Sequence, residues 1–173
     1  MSDLNKKKID EIIRVDHAGE FGAQRIYKGQ IDFVKDSKLK KELEHIAQEE
    51  LEHLNYFEKK AIRNRVRPTA LYPIWDIGGY ALGAITAIMG KDYVMACTEA
   101  VEEEIVKHYK TQLQNLQNSK DNDLKKKIRK FLADEDNHRH YGNQNHNGGF
   151  RVTSFKKAIG FLTKTAIRLS EKI

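Results

Sequence analysis

Apolar residues recur along most of this chain at alternating intervals of three and four, the repeat of one helical face, and the alternation expected of strands is almost absent. Leu39, Leu43, Ile46, Glu50, His53 and Phe57 follow the intervals 4, 3, 4, 3, 4, and Leu124, Ile128, Phe131, Glu135, His138 and Gly142 follow the same intervals in the same register. Two further inward lines are Ile9, Ile13, Asp16, Glu20, Ala23, Tyr27 and Met95, Thr98, Glu102, Ile105, Tyr109, closed by Leu113 or Leu116. The two prolines, Pro68 and Pro73, bracket a break at PTALYP, and the polar clusters KDSK, NSKDND and GNQNHNGG mark further turns. The pattern predicts six helices, near 3–35, 38–65, 74–89, 91–118, 122–142 and 151–171. The expected architecture is all-α, a four-helix bundle with two additional helices.

Composition adds limits to that picture. At 173 residues and 39% apolar content the chain can bury one sizeable core, so a single domain spanning 1–173 is expected. The lone cysteine, Cys97, excludes an internal disulfide framework and any site needing several thiolates, and is expected as a small buried residue. The N-terminal MSDLNKKKIDEII has neither the apolar core of a secretory signal nor the acid-poor character of a transit peptide, which points to synthesis in the cytosol. A net charge of +6 favours anionic surfaces, yet no groove-reading motif or aromatic-interleaved basic strand accompanies it, so nucleic acid is not an expected partner.

The polar residues on the inward lines carry the chemistry. Glu50 and His53, and again Glu135 and His138, stand three apart, on adjoining turns of one helical face, where both can grip one object. Each pair is preceded by a helix with one inward glutamate, Glu20 or Glu102. The chain is therefore a helix-pair repeat of weak sequence identity and matching chemistry. Carboxylates converging in a core repel by roughly 4 kcal/mol per pair at ~4 Å and an effective dielectric of ~20, and burial adds to the cost. Two divalent cations balance four carboxylates, and two imidazoles complete a mixed oxygen and nitrogen shell suited to iron or manganese. One Glu from each of two helices with Glu-x-x-His from each of the others is the carboxylate-bridged dimetal arrangement of four-helix bundles. The expected metal ligands are Glu20, Glu50, His53, Glu102, Glu135 and His138, while Glu49, Glu52, Glu103 and Glu104 fall off the inward lines and are expected in solvent.

RVDHAGEFGAQRIYKGQ, RVRPTALYPIW, ALGAITAIMGKDYVMACTEAVEEEIVKHY and DEDNHRHYG occur in this order over nearly the whole chain. They closely resemble the demethoxyubiquinone hydroxylases of ubiquinone biosynthesis. The resemblance implies a ferritin-like di-iron monooxygenase that uses O₂ to hydroxylate the ring of a polyprenylated methoxy-methyl-benzoquinol. Carried over position by position, the family's ligands fall on the six residues already selected, and its His-Tyr pair near the site falls on His108 and Tyr109, the expected catalytic residues. Arg139 departs from the family pattern at a position that is not a ligand. The resemblance also implies two iron ions, with O₂ and NADH as co-substrates, electrons passing through the quinone itself, since no nicotinamide or flavin fingerprint is present. Other proteins of ubiquinone biosynthesis and further copies of the chain are expected partners, and the lack of the mitochondrial members' N-terminal extension suggests a bacterial protein.

A polyprenyl quinol is almost insoluble in water, so its enzyme is expected to touch the bilayer. The uncharged run from Ile77 to Gly90 is shorter than the ~20 residues a span needs but can dip into a membrane. Lys59, Lys60, Arg63, Arg65 and Arg67 precede it, followed by Tyr72 and Trp75, a basic cluster and then interfacial aromatics. A second candidate surface is the C-terminal stripe Phe155, Ala158, Ile159, Leu162, Ala166 and Leu169. Peripheral attachment through 70–90, on the cytoplasmic face of a bacterial inner membrane, is the expected location. Asp16, one turn before Glu20, is a candidate acceptor for a ligand histidine's second ring N–H. Ala18, Gly19, Gly22 and Ala23 around Glu20 suggest close helix approach or an access slot, since each mid-helix glycine costs about 1 kcal/mol relative to alanine. The rival function is a ferritin-like ferroxidase or iron-binding bundle, which shares the ligands but has no use for a lipophilic helix or a quinol pocket.

Overall fold

The computed structural model describes residues 3–172, with side chains from Lys6 onward. The ends of the expected 1–173 domain, Met1, Ser2 and Ile173, lie outside the described residues. Six helices make up the fold, and there is no strand among the described residues: α1 (Asp3–Phe33), α2 (Ser37–Asn64), α3 (Tyr72–Met89), α4 (Lys91–Asn115), α5 (Asn122–Gln144) and α6 (Phe150–Lys172). The class is all-α, and the helix set is consistent with a ferritin-like bundle, as the sequence predicts. Two compact units divide the chain, one with α1, α2, α3 and the last turns of α6, the other with most of α4, α5 and the rest of α6.

In the first unit the predicted inward lines of α1 and α2 are buried at every position, from Ile9 to Tyr27 and from Leu39 to Phe57. Asp36 starts α2 by accepting hydrogen bonds from the backbone N–H of Lys38 (2.8 Å) and Leu39 (3.0 Å). The same two N–H groups, Leu39 first, hold its carboxyl below the usual range. The helix ends at Arg65 in the left-handed region (φ 56°), and Val66 N–H returns to Ala61 O at 2.9 Å. Pro73 lies in the first turn of α3, where its missing N–H is harmless, so the helix begins at Tyr72 rather than at 74.

Helices α1 and α3 cross backbone to backbone. A Cβ on Gly83 would lie 2.0 Å from Ile26 O, and one on Gly29 would lie 2.2 Å from Tyr80 O. The glycine cluster around Glu20 is expected to serve close helix approach or an access slot, and a Cβ on Gly19 or Gly22 meets nothing within 4 Å. The seam runs along α1 from the Gly22 carbonyl, 3.1 Å from a Cβ built on Gly79, to Gly29.

In the second unit α4 buries Met95, Thr98, Glu102, Ile105 and Tyr109, and its line closes on Leu116 rather than Leu113. Asp121 caps α5 by accepting from Leu124 N–H at 3.0 Å, and the whole line from Leu124 to Gly142 is buried. Gly142 lets α4 approach, since a Cβ there would sit 2.8 Å from Glu99 N and 2.9 Å from Met95 O. Cys97 is fully buried, as expected, and burial with the nearby Glu102 charge pushes its thiol up to about 12.

The C-terminal helix divides the candidate surface stripe. Val152, Ile159 and Ser170 are buried, whereas Leu162, Leu169 and Ala158 are exposed. Lys156 reaches inward to the buried Glu99, and an inward lysine rotates the helix away from the face that hydropathy alone selects.

Candidate metal centre

Regular helix geometry positions the first group of donors. Glu20 projects from α1, and Glu50 and His53 from adjoining turns of α2; all three are at most 1% exposed. His53 Nδ1 lies 3.7 Å from Glu20 Oε2 and 3.8 Å from Glu50 Oε2. The second unit repeats the arrangement with Glu102 from α4 and Glu135 and His138 from α5, all at most 3% exposed, with His138 Nδ1 3.5 Å from Glu135 Oε2. Within each triad, one donor atom per residue lies within 4.8 Å of the others.

These separations suit a shared cation. They exceed hydrogen-bond length, yet donors that bind one ion at ~2.0–2.2 Å stand about this far apart. Two carboxylates per triad match the charge of one divalent ion, and imidazole with carboxylate is a donor set for iron, manganese or zinc. A buried carboxylate satisfied by protein alone looks different, as Glu99 shows. Asn143 Nδ2 (2.8 Å) and Lys156 Nζ (2.9 Å) donate to its Oε1, and His146 Nε2 lies 2.8 Å from Oε2. Burial alone would raise the Glu99 pKa, but contacts with His146, Lys156 and Asn143 outweigh it and hold the carboxyl below its ordinary range.

The remaining predicted residues fall as follows. Tyr109 is buried on the inward line of α4, and His108 is half-buried with Nε2 2.7 Å from Gln112 Nε2. Burial pushes the His108 imidazole down to about 4, so it is neutral at pH 7. Asp16 is buried beside the first triad's α1 turn. Glu103 and Glu104 bind Lys107 at 2.8 and 2.7 Å near solvent, off the inward line as expected. Arg139 pairs with Asp136 at 2.8 Å.

Glu99 and His17 are buried polar residues that sequence reasoning missed. Glu99 adjoins the α4 line, and its signal, a carboxylate flanked by Thr98 and Ala100, is indistinguishable from any other helical glutamate until Asn143, His146 and Lys156 meet it. His17, one turn before Glu20, is 7% exposed, and its Nδ1 has no hydrogen-bond partner.

Helices that bury two Glu, Glu, His triads define a class, that of all-α proteins with carboxylate and histidine sites able to hold metal ions. The chain belongs to the family of the ubiquinone biosynthesis protein COQ7, whose family model matches residues 7–170. Among similar proteins is the NADPH-dependent 3-demethoxyubiquinone 3-hydroxylase, mitochondrial, of Dictyostelium discoideum, 41% identical over all of this chain and 83% of the relative. The protein of the same name from Bos taurus is 39% identical over all of this chain and 82% of its own length. A 3-demethoxyubiquinol 3-hydroxylase of Rhodospirillum rubrum is 40% identical over 95% of this chain and 78% of the relative.

Proposed function

We propose that this chain hydroxylates the ring of demethoxyubiquinol, using O₂ and a di-iron centre, in ubiquinone biosynthesis. The observation that carries the reading is the doubled buried Glu, Glu, His triad in a chain of this family. In this reading residues 1–173 form one domain, and the ligands of two iron ions are Glu20, Glu50, His53, Glu102, Glu135 and His138. When bound, the iron pair supplies the O₂-activating redox chemistry.

The chain's own residues do the rest. The triads fix donor positions on helices rather than on loops, so the centre is pre-organised. Met95, Phe57 and Phe131, each at most 1% exposed, line the same inward faces and exclude water. Tyr109, buried two turns after Glu102, and His108, neutral through burial, are the proposed catalytic pair; the imidazole can accept a proton at one ring nitrogen and donate from the other. Asp16 would orient a ligand imidazole. The electron source is a reduced nicotinamide acting through the quinone. NADPH stands in the names of the mitochondrial relatives, where the sequence led us to expect NADH.

Substrate delivery favours a membrane surface. No helix among the described residues is long and apolar enough to cross a membrane. Helix α3 nevertheless exposes Ile74 (58%), Ile77 (73%), Ile85 (53%) and Ile88 (71%), close in sequence to the basic run Lys59 to Arg67. A polyprenyl quinol dissolved in the bilayer would be reached by peripheral docking of this face, on the cytoplasmic side of a bacterial inner membrane.

The deciding experiment is anaerobic reconstitution with ferrous iron, addition of a short-chain demethoxyubiquinol, admission of labelled O₂ and mass spectrometry. A product heavier by one labelled oxygen, absent in Glu135→Ala, is the expected result. Iron oxidation with no quinol product would replace this reading with the ferroxidase one.

A further inference from the structure

His17 is a buried imidazole that belongs to neither triad. It projects from α1 one turn before Glu20, is 7% exposed, and its Nδ1 finds no hydrogen-bond partner. Native interiors give nearly every such atom a partner, whether protein, water, ion or ligand. Burial lowers its pKa, against the opposing charges of Glu58 and Glu20, so the ring is neutral at pH 7 and offers one donor and one acceptor.

Around it lie flat, nearly parallel rings. The Tyr72 ring stacks on Phe21 at 3.8 Å between centroids and 20° between planes, and lies 6.3 Å and 17° from the His17 ring. Tyr72 belongs to the first turn of α3, whose N-cap Leu71 makes no side-chain capping bond.

We propose that His17 is a hydrogen-bonding contact for the ring oxygen of the quinol, and that the quinol ring takes the place of Tyr72, itself a phenol. The proposal rests on the quinol reading above and adds a residue to it. A quinol ring in the place of the Tyr72 ring would stack on Phe21 and present a hydroxyl to the imidazole, one turn from Glu20. A neutral imidazole suits an uncharged substrate whose hydroxyl both donates and accepts. In the alternative, His17 is a packing residue, and any aromatic of its size serves as well.

Binding to the metal-free full-length chain separates these roles. Trp75 is the single tryptophan, three residues beyond Tyr72 on α3, and its fluorescence reports on this region. A tail-less methoxy-methyl-benzoquinol is titrated anaerobically into the wild-type chain and into His17→Phe, His17→Gln and Tyr72→Ala, each checked for helix content. Wild type is expected to show saturable quenching. His17→Phe should raise Kd about tenfold, as loss of one buried hydrogen bond implies, and His17→Gln should return it to within about threefold. Tyr72→Ala should bind at least as tightly as wild type. A folded His17→Phe with wild-type Kd, or a Tyr72→Ala weakened as much as His17→Phe, overturns the assignment and leaves the quinol reading standing. Failure of the wild-type chain itself to bind the quinol overturns both.

Discussion

Lys156 Nζ on α6 donates to the buried Glu99 Oε1 on α4 at 2.9 Å, and this ion pair, with Asn143 and His146 on the same carboxylate, sets which face of α6 turns inward. Glu99→Ala would leave a lysine and a histidine facing a buried void. The expected loss is about 2–4 kcal/mol, a fall in Tm of roughly 5–15 °C for a chain of this size, measured by circular dichroism. Because the folded pKa of Glu99 is depressed, its contribution is present above the unfolded carboxylate pKa and is lost as pH falls through the folded value. The Tm difference between wild type and Glu99→Gln should therefore shrink in acid.

The α1–α3 seam predicts opposite outcomes for alanine at different glycines. Gly83→Ala would drive a Cβ to 2.0 Å from the Ile26 carbonyl, backbone that cannot swing aside, and should destabilise by more than about 2 kcal/mol. Gly19→Ala meets nothing within 4 Å and gains helix propensity, so it should be neutral or stabilising by up to about 1 kcal/mol. Equal urea midpoints for the two variants would contradict this geometry.

His108 makes stability fall in mild acid. Its pKa is about 4 in the folded chain, against about 6.5 when unfolded. Between those values the unfolded state binds the extra proton, so stability rises with pH across this window, by up to about 3 kcal/mol in total. The loss begins as pH drops below about 6.5 and is complete below about 4. Subtracting the urea stability of His108→Phe from that of wild type at each pH should isolate this slope; a flat difference would show that the ring is not shielded as described.

Metal loading tests the two triads. Wild type is expected to bind about two ferrous ions per chain by elemental analysis. His53→Ala and His138→Ala should each lose about one, and chelation should lower the Tm because buried carboxylates lose their counter-charge. Undiminished iron in both variants would remove the triads from consideration.

The exposed face of α3 predicts membrane binding. Ile77→Asp with Ile88→Asp places two charges where 73% and 71% of each side chain faces solvent. The pair should leave Tm nearly unchanged while reducing sedimentation with anionic vesicles at least tenfold. Wild-type protein that ignores such vesicles would refute the docking surface.

Much of this was legible in the order of residues. Helix periodicity is a local property, so the intervals linking Leu39 to Phe57 and Leu124 to Gly142 located the buried faces of α2 and α5 before any packing was known. The same register turned Glu20, Glu50, His53, Glu102, Glu135 and His138 inward, because a side chain on an apolar line must share its burial. Features that depend on two distant segments were not legible. The sequence does not disclose that Gly83 meets the Ile26 carbonyl while Gly19 meets nothing, since a glycine looks the same wherever its neighbours lie. Nor does it disclose that Lys156 turns inward to Glu99, placing Leu162 and Leu169 in solvent against their hydropathy. Periodicity along one helix determines what that helix buries, whereas which partner waits there, and therefore whether a buried charge is neutralised by lysine or left to a metal, is decided only when the helices pack.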